Sequence, residues 1–184
     1  MLDKINIINP ENIRRSPEQV KAAISYIFRD GKALMIKRKK EPFMGHIVAP
    51  GGKFEVGETP IECVKREIFE ETGLKMKEYS LKIVTSEIGP NHYNWLLYIF
   101  ICSDFEGAVR ESDEGELCWV AVDELTHEKM SEIDKKMLPY VLDGNSYFME
   151  LKYDESKNCS IENITTFDEN FFIYWCLHCS YEII

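Results

Sequence analysis

Three glutamates, Glu67, Glu70 and Glu71, stand at i, i+3 and i+4 within Arg66-Glu67-Ile68-Phe69-Glu70-Glu71. On a helix that spacing puts all three on one face, one turn apart. Neighbouring carboxylates repel, so the arrangement calls for a positive partner. Hard divalent cations such as Mg²⁺ or Mn²⁺ favour oxygen ligands of this kind. A fourth acid, Glu58, precedes them, and Lys65 and Arg66 share the segment and can partly neutralise it. Just upstream, Pro50-Gly51-Gly52 makes a sharp turn that brings backbone close to whatever binds there. Carboxylates clustered after a glycine turn suit metal-assisted attack on a phosphate anhydride. The metal offsets phosphate charge and acidifies a water, and a carboxylate takes the proton.

The elements that must position these acids can be read from pattern. Thr59 is a helix N-cap, Pro60 sits at the first helical position, Glu62 completes a capping box and Gly73 marks the stop. The helix therefore runs from about Pro60 to Thr72, with Ile61, Val64 and Ile68 as its core stripe. Before it, Gln19–Phe28 and Ala33–Arg38 read as strands joined at Asp30-Gly31, a tight hairpin signal, and Glu41–Pro50 reads as a loop. After it come strands at Tyr79–Ile88, Trp95–Asp104 and Leu117–Val122, a helical turn from Val122 and a helix over Ser131–Leu142. Tyr147–Tyr153 and Cys159–Ile164 form a terminal hairpin. Strands and helices mixed in this order imply an α+β or α/β sheet covered by helices rather than repeating βαβ units.

The chain has 184 residues, enough for one domain with a sizeable core. We expect an N-terminal arm over 1–17, a single domain over 18–166 and a C-terminal tail over 167–184. A formal net charge of −10 argues against a nucleic-acid polymer as partner. The local run Lys37-Arg38-Lys39-Lys40 can still meet a phosphate, or be a solvated strand end. Met1–Pro10 has no basic segment followed by an apolar run, and no stretch approaches a membrane span, so no membrane partner is expected. Six cysteines, three of them in expected helix or strand, fit a reduced, cytoplasmic setting. Cys176-Leu177-His178-Cys179 lacks the second ligand pair of a zinc site. Nothing in these residues specifies an oligomeric state.

The segment from Gly52 to Leu74 resembles a known signature, the Nudix box G-x(5)-E-x(7)-R-E-U-x-E-E-x-G-U, with U aliphatic. It does so at every defined position: Gly52, Glu58, Arg66, Glu67, Ile68, Glu70, Glu71, Gly73 and Leu74. A chance match at a given start is on the order of one in a billion or rarer. The resemblance implies an α/β/α sandwich with a mixed β-sheet. It implies Mg²⁺- or Mn²⁺-dependent hydrolysis of a nucleoside diphosphate linked to another group. Carried over, Glu67, Glu70 and Glu71 bind metal with the carbonyl of Gly52, Arg66 orients a glutamate, and Glu58 supports the loop and helix start or meets substrate. Glu67 is the base in some members, and the base is left open here.

Outside the box the chain is similar to the 8-oxo-dGTP diphosphatase branch, over about residues 20–164. The similar segments are Glu111-Ser112-Asp113-Glu114 before Leu117-Cys118-Trp119-Val120, the helix end Met137-Leu138-Pro139, and the late hairpin. This implies Glu114 as a further metal ligand. The branch's base-reading segment keeps only Asp134 here, and its purine-contacting asparagine is Val48. Asp134 is therefore an expected substrate contact, together with Arg38. Trp95, Tyr93 and Phe43 are aromatic residues that could stack on a base. The expected activity is conversion of a nucleoside triphosphate to a monophosphate and pyrophosphate, with oxidised purine nucleotides such as 8-oxo-dGTP as candidates. ADP-ribose and other nucleoside diphosphate derivatives are the alternative substrates. A non-catalytic nucleotide-sensing module is the alternative of another class.

Overall fold

The computed structural model describes residues 18–167, apart from Pro42 and Glu111. The arm over 1–17, most of the expected tail and the Cys176–Cys179 motif lie outside the described residues. Strands β1 (Val20–Arg29) and β2 (Lys32–Arg38) form the expected hairpin. Asp30 and Gly31 both have positive φ, 51° and 72°, the backbone that a two-residue turn of the right twist requires. The expected loop over 41–50 contains a short strand β3 (Ile47–Val48), and the turn that follows continues into β4 (Gly51–Lys53). Helix α1 (Pro60–Thr72) has the anticipated limits. β5 (Lys75–Ile88), β6 (Asn94–Glu106), β7 (Gly115–Ala121), a 3-10 turn (Val122–His127), α2 (Glu132–Leu142), β8 (Ser146–Tyr153) and β9 (Cys159–Phe167) follow.

Two strand boundaries differ by more than two residues from the sequence reading, and the others shift by one or two at most. β5 starts at Lys75, immediately after the helix stop, because Met76 is buried while its charged neighbours Lys75, Lys77 and Glu78 face solvent. Phe167, placed in the tail by sequence, pairs with Ser146 as the last residue of β9.

The nine strands make one mixed sheet. Its main path is β3-β2-β1-β6-β5-β8-β9, with β4 paired to β1 and β7 to β2. β1–β6 and β5–β8 are parallel and the other pairings antiparallel. Alternation along the strands gives two apolar faces. Ala23, Ile27, Leu34, Phe100 and Cys102 pack with Cys63, Val64 and Ile68 of α1. Tyr26, Met35, Ile83, Ile99 and Met149 pack with Met137, Leu138 and Val141 of α2. The result is the expected α/β/α sandwich.

Helix α1 is fixed at both ends. The Thr59 hydroxyl accepts from the Glu62 N–H, the Glu62 carboxylate accepts from the Thr59 N–H, and Gly73 closes the helix at φ 79°. Fully buried Val64 and Ile68 each stabilise its docking by about 1.5–3 kcal/mol. Thr59→Ala removes the cap and should lower stability by about 1 kcal/mol in urea unfolding. An unchanged unfolding midpoint would show that the cap does not hold the helix start.

Candidate active site

Arg66 occupies the centre of the acidic cluster. Its Nε and Nη2 donate to the two oxygens of Glu58 at 2.6 and 2.9 Å, a two-pronged pair. Nη1 donates to Glu67 at 2.8 Å and to Glu70 at 3.2 Å, and Nη2 also reaches the Lys53 carbonyl at 3.1 Å. Glu58 takes a further bond from the Glu55 N–H at 2.7 Å. These bonds, those from Arg66 foremost, hold the Glu58 carboxyl down to about 2. Both of its oxygens are thus engaged, and Glu58 supports the loop and helix start.

Glu71 is held differently. Its Oε2 accepts from the Gly51 N–H at 2.7 Å, away from Arg66. Burial pushes its carboxyl up to about 7, the nearby charges of Glu67 and Glu114 add to the rise, and the Gly51 bond and Arg38 oppose it. The loop acid Glu114 is therefore near enough for its charge to act on Glu71. Glu114 also faces Arg38 Nη2 at 3.4 Å and Lys40 Nζ at 3.6 Å. Arg38 Nε is buried without a partner among the described residues.

The two glycines differ in what a side chain would meet: backbone at Gly51, and the movable end of Glu67 at Gly52. At Gly51, with φ 143°, a Cβ would strike the Ala23 carbonyl oxygen. At Gly52 it would strike the Glu67 carboxylate, which lies directly against this backbone. The Gly52 carbonyl faces α1, where the Cys63 thiol lies 3.6 Å away. Burial pushes that thiol up to about 12, so it stays protonated and donates.

Among the described residues no three acids, histidines or cysteines already converge as a closed metal cage. The physical reason is visible: Arg66 holds Glu67 and Glu70, and Gly51 holds Glu71. The donor set nevertheless fits a hard divalent cation. All its donors are oxygens, and a Cβ at position 52 would displace the Glu67 carboxylate from its place against the backbone.

Asp134 stands apart from this cluster, in the first turn of α2 on the other side of the sheet. Its Oδ2 accepts from the Ser131 hydroxyl at 2.6 Å, and burial raises its carboxyl despite the nearby His46. Sequence reasoning missed Glu87. It is buried on β5, and burial likewise raises its carboxyl, with the charge of Asp134 contributing. The available signal was parity, since Glu87 shares its face with Ile83 and Thr85, all of them buried. Trp95 and Tyr93 stack on one another at 5.9 Å, and Phe43 is half-exposed, edge-on to His46.

Fold and site together define an acidic, glycine-backed helix on a mixed-sheet sandwich. The NUDIX domain family model matches residues 18–141, and the chain belongs to the Nudix hydrolases. It is 34% identical over 120 residues to the Nudix hydrolase YvcI of Bacillus subtilis, covering 62% of this chain and 74% of that protein. It is 42% identical over 91 residues to the ADP-ribose pyrophosphatase of Methanocaldococcus jannaschii, covering 49% of this chain and 54% of that one. It is 29% identical over 107 residues to the human 8-oxo-dGDP phosphatase NUDT18, covering 58% of this chain and 32% of that protein. The chain thus spans about half and about a third of the last two relatives. Among solved structures, the MutT protein of Bacillus halodurans is similar at a TM-score of 0.68 and 27% identity, over 80% of this chain and 97% of that one. Among the described residues no helix is long and apolar enough to cross a membrane.

The raised Glu71 carboxyl has a consequence for stability. Its folded-state affinity for a proton exceeds that of the unfolded chain, so stability falls as pH rises from about 4.5 to about 7. Glu71→Gln abolishes this titration and keeps an acceptor for Gly51. In EDTA the variant should exceed the parent in stability by roughly 1–3 kcal/mol at pH 8, the gap closing toward pH 4.5. Coincident thermal melts at pH 8 would contradict the strained charge.

Proposed function

We propose that this protein hydrolyses a phosphoric anhydride bond in a nucleoside diphosphate linked to a further group, with Mg²⁺ or Mn²⁺ as cofactor. The observation that carries this reading is the complete acid set on α1, set against Gly51 and Gly52, with Glu114 near enough for its charge to act on Glu71. Glu67, Glu70, Glu71, Glu114 and the Gly52 carbonyl would hold the ion. When bound, it would supply positive charge to the phosphates and make a water more acidic. Arg66 keeps the glutamate side chains in a narrow set of positions and so lowers the entropy lost on reaching the reactive arrangement. A carboxylate of the set takes the proton of the attacking water. Arg38, partly exposed and with its Nη2 beside Glu114, is the cation suited to meet a phosphate oxygen.

For the substrate, the reading from sequence is a nucleoside triphosphate cut to a monophosphate and pyrophosphate, with oxidised purines among the candidates. A relative named 8-oxo-dGDP phosphatase supports the purine side of this reading. ADP-ribose is the second reading, favoured by the 42% identity to an ADP-ribose pyrophosphatase. The four described cysteines are free thiols, in keeping with the reducing cytoplasmic setting that we propose.

A nucleotide panel containing triphosphates, oxidised triphosphates, 8-oxo-dGDP and ADP-ribose, run with Mg²⁺ and Mn²⁺ and scored by products, tests both levels. Glu71→Gln should lower turnover by about a hundredfold or more with the fold retained. Near-parental rates in that variant would remove the acid set from the chemistry. Binding without product from the parent would point to the sensing module instead.

A further inference from the structure

The segment between β6 and β7 carries Glu114 and joins the end of α1 to β2. Its first half lies on α1. A Cβ at Gly107, with φ 103°, would strike the Gly73 carbonyl oxygen, and one at Gly73 would strike the Ala108 carbonyl oxygen, so the two backbones touch. The Arg110 N–H donates to the Thr72 carbonyl at 3.0 Å. Its far end lies on β2. The Glu114 carbonyl accepts from the Lys39 N–H at 3.1 Å, and the Glu114 carboxylate faces Arg38 and Lys40. A Cβ at Gly115 would strike the Lys37 carbonyl oxygen. From this position the charge of Glu114 acts on Glu71.

The Arg110 side chain strengthens the attachment to α1. Its Nη2 donates to the Phe69 carbonyl at 2.8 Å and to that of Glu70 at 3.4 Å, and the guanidinium lies 5.0 Å from the Phe69 ring centre. The last carbonyls of a helix have no partner within it, and the negative end of the helix dipole favours a cation. The last turn of α1 has no basic residue of its own, so Arg110 supplies that charge from outside the helix. Arg110 is exposed, and its hold comes from these contacts rather than from core packing. The backbone it grips belongs to the same helical turn as Glu70 and Glu71.

We propose that Arg110 is a positioning residue for the ion site: by clamping the β6–β7 segment to the Phe69 and Glu70 carbonyls, it sets where Glu114 stands relative to the acids of α1. This deepens the metal-dependent reading above and rests on it. Without the clamp the segment keeps only its backbone contacts with Thr72 and Gly73, and Glu114 samples more positions. That freedom has to be lost when Glu114 joins the other ligands. Coulomb's law alone gives the opposite sign, because removing a positive charge near the site would draw a divalent cation more strongly. A plain helix cap would alter stability and leave ion affinity as it was.

Calorimetric titration of the full chain with Mn²⁺, without nucleotide, separates these roles. Arg110→Ala should weaken Mn²⁺ binding by about tenfold. Arg110→Lys keeps a donor and a charge for the carbonyls and should recover most of that loss. Arg110→Met keeps the stem beside Phe69 without the donors; it should behave as Arg110→Ala and serves if that variant does not fold. Added to Glu114→Gln, Arg110→Ala should weaken binding little further, because the arginine acts through Glu114. Unchanged or tighter binding in Arg110→Ala overturns the proposal. So do additive losses in the double variant, or a Glu114→Gln protein that binds Mn²⁺ like the parent. Ion binding is read here without turnover, so such a failure is distinct from failure of the hydrolase reading, which Glu71→Gln turnover decides.

Discussion

Acidic side chains crowded onto one turn of helix repel one another, and the guanidinium of Arg66 is the charge that lets them coexist. Its five N–H donors form a rigid planar fork. That fork spends two bonds on Glu58, divides the others among Glu67, Glu70 and the Lys53 carbonyl, and so orders three acids and one strand end at once. A lysine would bring equal charge without the geometry. Glu71 lies outside this fork: burial raises its carboxyl and the Gly51 N–H only partly opposes the rise, whereas the bonds from Arg66 hold Glu58 down. The contrast between two glutamates of one motif follows from the burial of Glu71 and from the grip of Arg66 on both oxygens of Glu58.

The three residues of β4 connect the two sides of the sandwich. The Gly51 N–H holds Glu71, Gly52 makes room for Glu67, and the Lys53 carbonyl anchors Arg66 on the α1 side. The Lys53 side chain meanwhile lies over Trp95, opposite Glu87 on the α2 side. Pairing of β4 with Ala22, Ala23 and Ile24 of β1 fixes this short strand in register. A register slip of one residue would exchange the two faces and bring a Cβ against Glu67 or the Ala23 carbonyl.

The local parts of this arrangement were readable from sequence because they are encoded by neighbours. The helix limits follow from Thr59, Pro60, Glu62 and Gly73, and the first hairpin from Asp30-Gly31. The acid face follows from 3,4 spacing. What could not be read depends on contacts distant along the chain. β3 and β4 are two and three residues long, and only their partners β2 and β1 make them strands. The start of β5 was hidden by charged residues on its solvent side. The coupling of Glu114 to Glu71 and of Glu87 to Asp134 joins residues more than 40 positions apart. Glu58 was read as a substrate contact as well as a support, and the geometry gives both of its oxygens to protein donors.

The acid set of α1 and the carboxylates Glu87 and Asp134 lie on opposite faces of one sheet. The acids, their arginine and the two glycines form a unit whose geometry depends on α1, β4 and the end of β1. The hydrogen bonds described for that unit do not run to the side chains at 48, 87 or 134. The residues facing α2 can therefore change while the acid cluster stays intact, because their bonds run to Thr85, Tyr93 and Ser131 rather than to the box. The relatives to which the chain is similar carry different named substrates, an ADP-ribose pyrophosphatase and an 8-oxo-dGDP phosphatase among them. The box alone therefore carries little information on the nucleoside, because its geometry is set by α1, β4 and the end of β1.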